Sequence, residues 1–283
     1  MYYMNYPNNV TIIWSSDWIK AIVEMCIEHY IPKLKDTCLM INTCDKHQMV
    51  QYRQNNPNQR VILYNLEHKY PLDEYGKPHC CSLEWECYFK QYMTLIDEVW
   101  DFNIENKQYF ESIGFTDRFK FMPLRYTTWF EQFRIDTKPH FDLEFEGVFD
   151  SNLRLDIFRQ LTSPVSDGKC IRLKIANTED VQVKYKEKQD ARYCLDIPHY
   201  DTPETINATR IHEAICLNRP VIVYDRYNVS NPNYFKDLCI YINNMNTQLI
   251  YQLTQKEAPK DIAERFKEMT YTDTAFELYR NAF

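Results

Sequence analysis

Ala191-Arg-Tyr-Cys-Leu-Asp-Ile-Pro-His-Tyr-Asp-Thr-Pro-Glu-Thr-Ile-Asn-Ala-Thr-Arg-Ile-His-Glu-Ala-Ile-Cys-Leu-Asn-Arg-Pro-Val-Ile-Val-Tyr224 is the stretch on which the fold turns. It opens with an apolar run, Ala191 to Ile197, and continues through a polar loop punctuated by proline. An amphipathic helix is expected from about Pro203 to Leu217, and Pro220-Val-Ile-Val-Tyr224 follows as a second apolar run. Strand, helix and strand with nearly continuous apolar strands is the pattern of a parallel sheet covered on both faces.

The same alternation runs through the N-terminal half. Strands are expected at Val10–Trp14, Cys38–Ile41, Arg60–Tyr64, Glu98–Phe102 and Phe119–Met122. Helices are expected after Asp17, around His47–Gln54, from Ser82 to Leu95 and from Ile104 to Ile113. Thr127–Asp142 breaks the rhythm, and Thr137-Lys-Pro-His140 reads as a linker. Alternation restarts with a strand over Leu143–Phe149, a helix capped by Ser151 and ending near Leu161, and a strand over Ile171–Ile175. Lys184-Tyr-Lys-Glu-Lys188 reads as a solvated connection, and helices at Met245–Thr254 and Ala258–Met269 close the chain. The expectation is an α/β protein of two Rossmann-like domains, residues 1–138 and 139–283, with a cleft between them and the C-terminal helix packing back on the first domain. Ligands of such folds lie beyond the carboxyl ends of the strands.

Composition narrows the chemistry. Only 4 of 283 residues are Gly, against 22 Tyr, 16 Phe and 5 Trp. Gly76, Gly114, Gly147 and Gly168 lie too far apart to form a G-x-G-x-x-G or P-loop phosphate cradle. With 45% hydrophobic residues the chain is globular, and a net charge of −7 argues against a nucleic-acid partner. No apolar run approaches the roughly 20 residues of a membrane span, and the N-terminus lacks the pattern of a signal peptide. The 10 cysteines contain no C-x-x-C pair, so no metal is expected and a reduced, cytoplasmic setting is. His79-Cys80-Cys81 with Cys87 is the one cluster that a metal could use.

Glu204, Arg210 and Glu213 gather on the helix that follows the polar loop. A helix N-terminus beside an arginine suits a diphosphate, and a carboxylate can accept hydrogen bonds from ribose hydroxyls. On spacing alone, the simpler account is a surface helix whose Arg210 and Glu213 pair at i,i+3.

Ile197-Pro-His-Tyr200, Arg210-Ile-His-Glu-Ala-Ile215 and Pro220-Val-Ile-Val223 together resemble the nucleotide-sugar-binding element of GT-B glycosyltransferases, in particular bacterial and viral members with an R-I-x-E-A-L helix. Four further segments resemble the same family in the same order: Ile62-Leu-Tyr-Asn-Leu-Glu67, Asp97-Glu-Val-Trp-Asp-Phe-Asn-Ile-Glu-Asn106, Phe121-Met-Pro-Leu-Arg-Tyr126 and Phe145-Glu-Gly-Val-Phe-Asp-Ser-Asn-Leu-Arg154. The resemblance implies a glycosyltransferase that moves a hexosyl or pentosyl group from a nucleotide sugar to a hydroxyl of a glycan or other acceptor. It implies donor binding by Arg154, His199, Tyr200, Thr209, Arg210 and Glu213, with the arginines neutralising the diphosphate without an obligatory metal or cofactor. Glu67 would be the catalytic base if the enzyme inverts.

Departures leave two alternatives open. Thr205 stands where many retaining relatives carry a second glutamate, Glu204 being one place off. Asn218 and Arg125 replace glycines, and Ser15-Ser16-Asp17 replaces a glycine-rich loop. Asn218 can still take the left-handed cap conformation. A catalytically inactive GT-B-like module binding a glycan or protein, and a DNA-base glycosyltransferase, are the alternatives.

Overall fold

The computed structural model describes all residues except 1, 15, 43–45, 67–93, 104–105, 136–137, 148, 150, 179, 199–207, 227–234 and 273–283. The chain divides into two compact units, Met1–Leu124 and Arg125–Ala282.

The first unit is built on a six-stranded sheet in the order β1-β2-β3-β4-β5-β6. These strands are Tyr2–Tyr6, Val10–Trp14, Thr37–Ile41, Arg60–Asn65, Glu98–Asp101 and Phe119–Phe121. All pairings are parallel except that of β1 with β2. This hairpin turns through Asn8 and Asn9, at φ 61° and 57°, a region that Asn tolerates better than most residues. β1 is absent from the sequence reading because its tyrosines are largely exposed at the sheet edge.

Ile13, Cys38, Met40, Val61, Leu63 and Val99 line one face of this sheet. They pack with Met49 of α2 (Lys46–Asn55) and Phe110 of α3 (Lys107–Phe110). On the other face Tyr30, which follows α1 (Lys20–His29), meets Tyr64 and Trp100 edge-on at 6.3 and 5.5 Å. At the carboxyl end of β5, the buried Asp101 accepts from Asn65 Nδ2 (2.7 Å), Asn106 Nδ2 (2.9 Å) and the Asn103 amide (2.7 Å).

The second unit carries a five-stranded, wholly parallel sheet in the order β11-β10-β9-β7-β8. Its strands are β7 (Phe141–Glu146), β8 (Leu173–Ala176), β9 (Ala191–Asp196), β10 (Val221–Tyr224) and β11 (Cys239–Ile242). The helices are α4 (Asn152–Leu161), α5 (Val181–Gln189), α6 (Ala208–Cys216), α7 (Thr247–Gln255) and α8 (Ile262–Thr272). Ser151 caps α4 as expected, its hydroxyl accepting from the Arg154 amide. Residues 125–135, placed with the first domain from the sequence, pack within this unit. The Tyr126 amide donates to Thr270 Oγ1 (3.0 Å), and Arg134 donates to the Cys216 carbonyl through Nη2 (2.9 Å).

One expectation fails outright. Lys184-Tyr-Lys-Glu-Lys188 is not a solvated connection but the middle of α5, capped by Asp180, with Lys184 and Lys188 5% and 1% exposed. The cause lies on β7, where Glu144 and Glu146 project from the face opposite to Leu143 and Phe145. Leu143 and Phe145 enter the core with Ile157, Leu161 and Leu195. The glutamates meet the two lysines, so helix and strand bury matching charges. Among the described residues, no helix is long and apolar enough to cross a membrane.

Candidate functional site

Strand order in the second sheet reverses at β7: the chain leaves to one side for β8, then returns to the other for β9. The carboxyl ends of β7 and β9 are therefore the place where an open parallel sheet leaves a crevice for a ligand. Three of the residues singled out from the sequence converge there.

Arg154, in the first turn of α4, is 3% exposed, and its Nη2 donates to the Ile197 carbonyl just past β9 (3.0 Å). Its guanidinium lies over the Phe145 ring at 5.3 Å, and that of Arg210 lies over the same ring at 5.9 Å. Gly147, directly after β7, has φ +134°, and a Cβ placed on it would stand 3.1 Å from Arg210 Nη2. The glycine thus supplies both a backbone conformation and the space beside a cation. The N-terminus of α4 adds its partial positive charge to the two guanidiniums.

Glu213, on α6, is also buried, at 4% exposure. Lys184 Nζ meets both of its carboxylate oxygens at 2.8 Å, and the Tyr185 hydroxyl donates to Oε1 at 3.2 Å. Lys184 also reaches Glu146 Oε1 (3.0 Å). Lys188 reaches Glu146 Oε2 (2.6 Å) and Glu144 Oε1 (3.7 Å). Burial works against ionisation of Glu146, yet Lys188, Lys184 and Arg210 hold its carboxyl well below the usual range. Burial pushes Glu213 and Glu144 upward, in each case against the pull of a lysine. Burial likewise opposes the charge of Lys188, but Glu144 and Glu146 outweigh it and hold the ammonium well above its ordinary value.

This network is what the sequence reading missed. The i,i+4 spacing of Lys184 and Lys188 and the i,i+2 spacing of Glu144 and Glu146 were its only signals. Neither shows in one dimension that the two pairs face each other.

Thr209 sits half-buried in the first described turn of α6. Glu67, His199 and Tyr200 lie outside the described residues, as do Glu204, Thr205, the His79–Cys87 cluster and most of the expected helix 82–95. Among the described residues no group of three His, Cys, Asp or Glu could hold a metal ion. The void enclosed by Glu144, Glu146, Lys188, Asp196 and Arg210 is about 10 Å³, room for one water at most. A ligand at this end of the sheet would therefore lie outside the network, against the arginines and Gly147. Two cations within 6 Å of one aromatic ring, beside a glycine and a helix N-terminus, are suited to a diphosphate.

No protein-family model matches the sequence, and no curated protein matches it. Solved structures do share the fold. A mutant of S. aureus TarM in complex with fondaparinux, α-GlcNAc-glycerol and UDP has a TM-score of 0.53 at 14% identity, over 90% of this chain and 57% of that one. The chain thus spans little more than half the length of TarM. T4 phage BGT in complex with UDP and Mn²⁺ has a TM-score of 0.52 at 13% identity, over 95% of this chain and 98% of that one. The architecture is that of the GT-B glycosyltransferase fold, with two α/β units, each on its own mainly parallel sheet.

Proposed function

We propose that the chain is a glycosyltransferase that takes a nucleotide-sugar donor at the carboxyl ends of β7 and β9 and transfers the sugar to an acceptor hydroxyl. The observation that carries this reading is the pair of guanidiniums, Arg154 and Arg210, set over the Phe145 ring beside Gly147. In the transfer, the acceptor oxygen forms a bond to the anomeric carbon as the bond to the diphosphate oxygen breaks. Negative charge grows on the departing diphosphate, and the two arginines and the α4 N-terminus stabilise it.

Glu213 lies inside the buried network with both oxygens on Lys184, so its proposed part in donor binding is to anchor Lys184 and, through it, Glu146 beneath the arginines rather than to touch the ribose. Glu67 is the proposed base for the acceptor proton in an inverting reaction. The two guanidiniums supply the positive charge that a divalent ion supplies elsewhere, so turnover is expected to persist in EDTA. TarM and T4 BGT were each captured with UDP, which makes UDP-sugars the first donors to try. Cys26, Cys38, Cys194 and Cys216 are buried and in no disulfide among the described residues, which supports the proposed cytoplasmic setting.

Titration with UDP, followed by a donor-hydrolysis screen over UDP, GDP and CMP sugars, tests the proposal. UDP affinity is expected to fall about 10- to 100-fold in Arg154→Gln and Arg210→Gln, the range for a lost charge-assisted hydrogen bond. A glycan panel and a DNA duplex carrying hydroxylated bases serve as acceptors. Nucleotide binding without any turnover would leave a binding module. No nucleotide binding at all would overturn the assignment.

A further inference from the structure

A second concave site lies at the other end of the same sheet. A pocket of about 830 Å³ opens near the amino ends of β7, β9 and β10, where Pro139, Arg192 and Pro220 form part of its wall. Among the described residues six cations line it, Arg134, Lys138, Arg192, Arg219, Lys256 and Lys260, against one carboxylate, Glu257. This local balance stands out in a chain of net charge −7.

Two of the six serve the fold. Arg134 donates to the Cys216 carbonyl and Arg192 Nη1 to the Thr254 carbonyl (2.9 Å), so they satisfy the last turns of α6 and α7. The others are differently placed. Arg219 Nη2 donates to the neutral Gln189 side chain (2.8 Å), while its Nε is buried with no hydrogen-bond partner among the described residues. Among those residues Arg219, Lys138 and Lys256 form no ion pair. Lys260 meets Glu257 at 2.7 Å, but both side chains are about four-fifths exposed, so that pair exchanges at little cost.

The wall is also built rather than loose. Asn218, at φ +59°, ends α6 in the left-handed conformation. Its Nδ2 donates to the Lys260 carbonyl (2.8 Å), and its Oδ1 accepts from the Ala263 amide (3.1 Å). The turn bearing Arg219 is thereby tied to the segment bearing Lys256 and Lys260. Asn218 is where the sequence departs from the glycine of its look-alikes, and Arg219 follows it directly.

We propose that this pocket binds a small anion carrying more than one phosphate or sulfate group, at the end of the sheet opposite to Arg154 and Arg210. Lys138, Arg219 and the Lys256–Lys260 pair come from three separate segments around a volume of ligand size, so one phosphate could not engage them together. They also ring a concavity rather than forming the extended stripe that a duplex backbone needs.

Titration calorimetry of the full chain with inorganic tripolyphosphate tests the site. Binding is expected in the wild type, with one site retained in Arg154→Gln and that site weakened at least about tenfold in Lys256→Gln/Lys260→Gln, with a similar loss in Arg219→Gln. The lysine pair is exposed, so that variant keeps its fold even where Arg219→Gln does not. Absence of binding, equal affinity in the lysine variant, or loss confined to Arg154→Gln would each overturn the proposal. Tighter binding of a short DNA duplex through the same lysines would overturn the small-ligand assignment. None of these outcomes depends on sugar transfer.

Discussion

Replacing Lys184 by Met removes the ammonium that directly contacts both Glu213 and Glu146. The Lys184 ammonium contacts Glu213 Oε1 and Oε2 at 2.8 Å and Glu146 Oε1 at 3.0 Å, from a side chain 6% exposed. Methionine keeps most of the stem, so packing changes little and the charge change dominates. Two carboxylates would then rely on Lys188 and Arg210 alone. Breaking a buried pair by removing one partner costs about 3–5 kcal/mol. Glu213 recovers part of this by taking up a proton, because burial already pushes its carboxyl upward.

A loss of about 3 kcal/mol is therefore expected at neutral pH. A buried carboxyl with a raised folded value favours the folded state when protonated. The deficit should shrink as pH falls through that value and be largest above it. In Lys184→Met/Glu213→Gln no such charge remains on α6, and at least about 1.5 kcal/mol should return, within the range of contact coupling. Trp129 is the one tryptophan of the second unit, and its ring lies 5.7 Å edge-on from Tyr185 of α5. Urea unfolding followed by its fluorescence reports on the helix concerned. A loss below about 1 kcal/mol, or no recovery in the double variant, would refute the account of Lys184 as the charge that holds Glu213.

Gly147→Ala should cost about 1–3 kcal/mol for a side chain at φ +134°, and should weaken UDP binding by displacing Arg210; thermal melts with and without UDP measure both. Asn218→Ala should destabilise by about 1–2 kcal/mol, and Asn218→Gly by less, because Gly keeps φ +59° while losing only the bonds to Lys260 and Ala263; urea midpoints give the order. Burial pushes the Asp101 carboxyl up to about 7, against about 3.9 unfolded, so the first unit should be more stable at low pH and lose about 1.4 kcal/mol between pH 6 and 8; Asp101→Asn should flatten that slope in urea titrations.

Most strands were readable because a parallel strand buried on both faces is a run of apolar residues, as in Val10–Trp14 and Val221–Tyr224. The helices of the second unit were readable where a cap or an apolar stripe marks them, as with Ser151 before α4. β1 escaped because an exposed edge strand has no buried run. α5 escaped because Val181–Gln189 is so rich in charge that it looks solvated. Arg154, Arg210 and Glu213 could be chosen from the sequence, but Lys184 and Lys188 could not.

The sequence by itself determined the class of architecture, since the alternation of apolar runs with helical segments admits little but covered parallel sheets. It also determined that no glycine-rich loop cradles a phosphate. The tertiary structure alone decided which charges are buried and whom they meet. Whether Lys184 faces water or Glu213 depends on α5 being laid across β7 and α6, a relation between segments 29 residues apart, and no local pattern encodes it. Burial then converts ordinary lysines and glutamates into a network worth several kcal/mol, because the dry interior penalises each charge that lacks its partner.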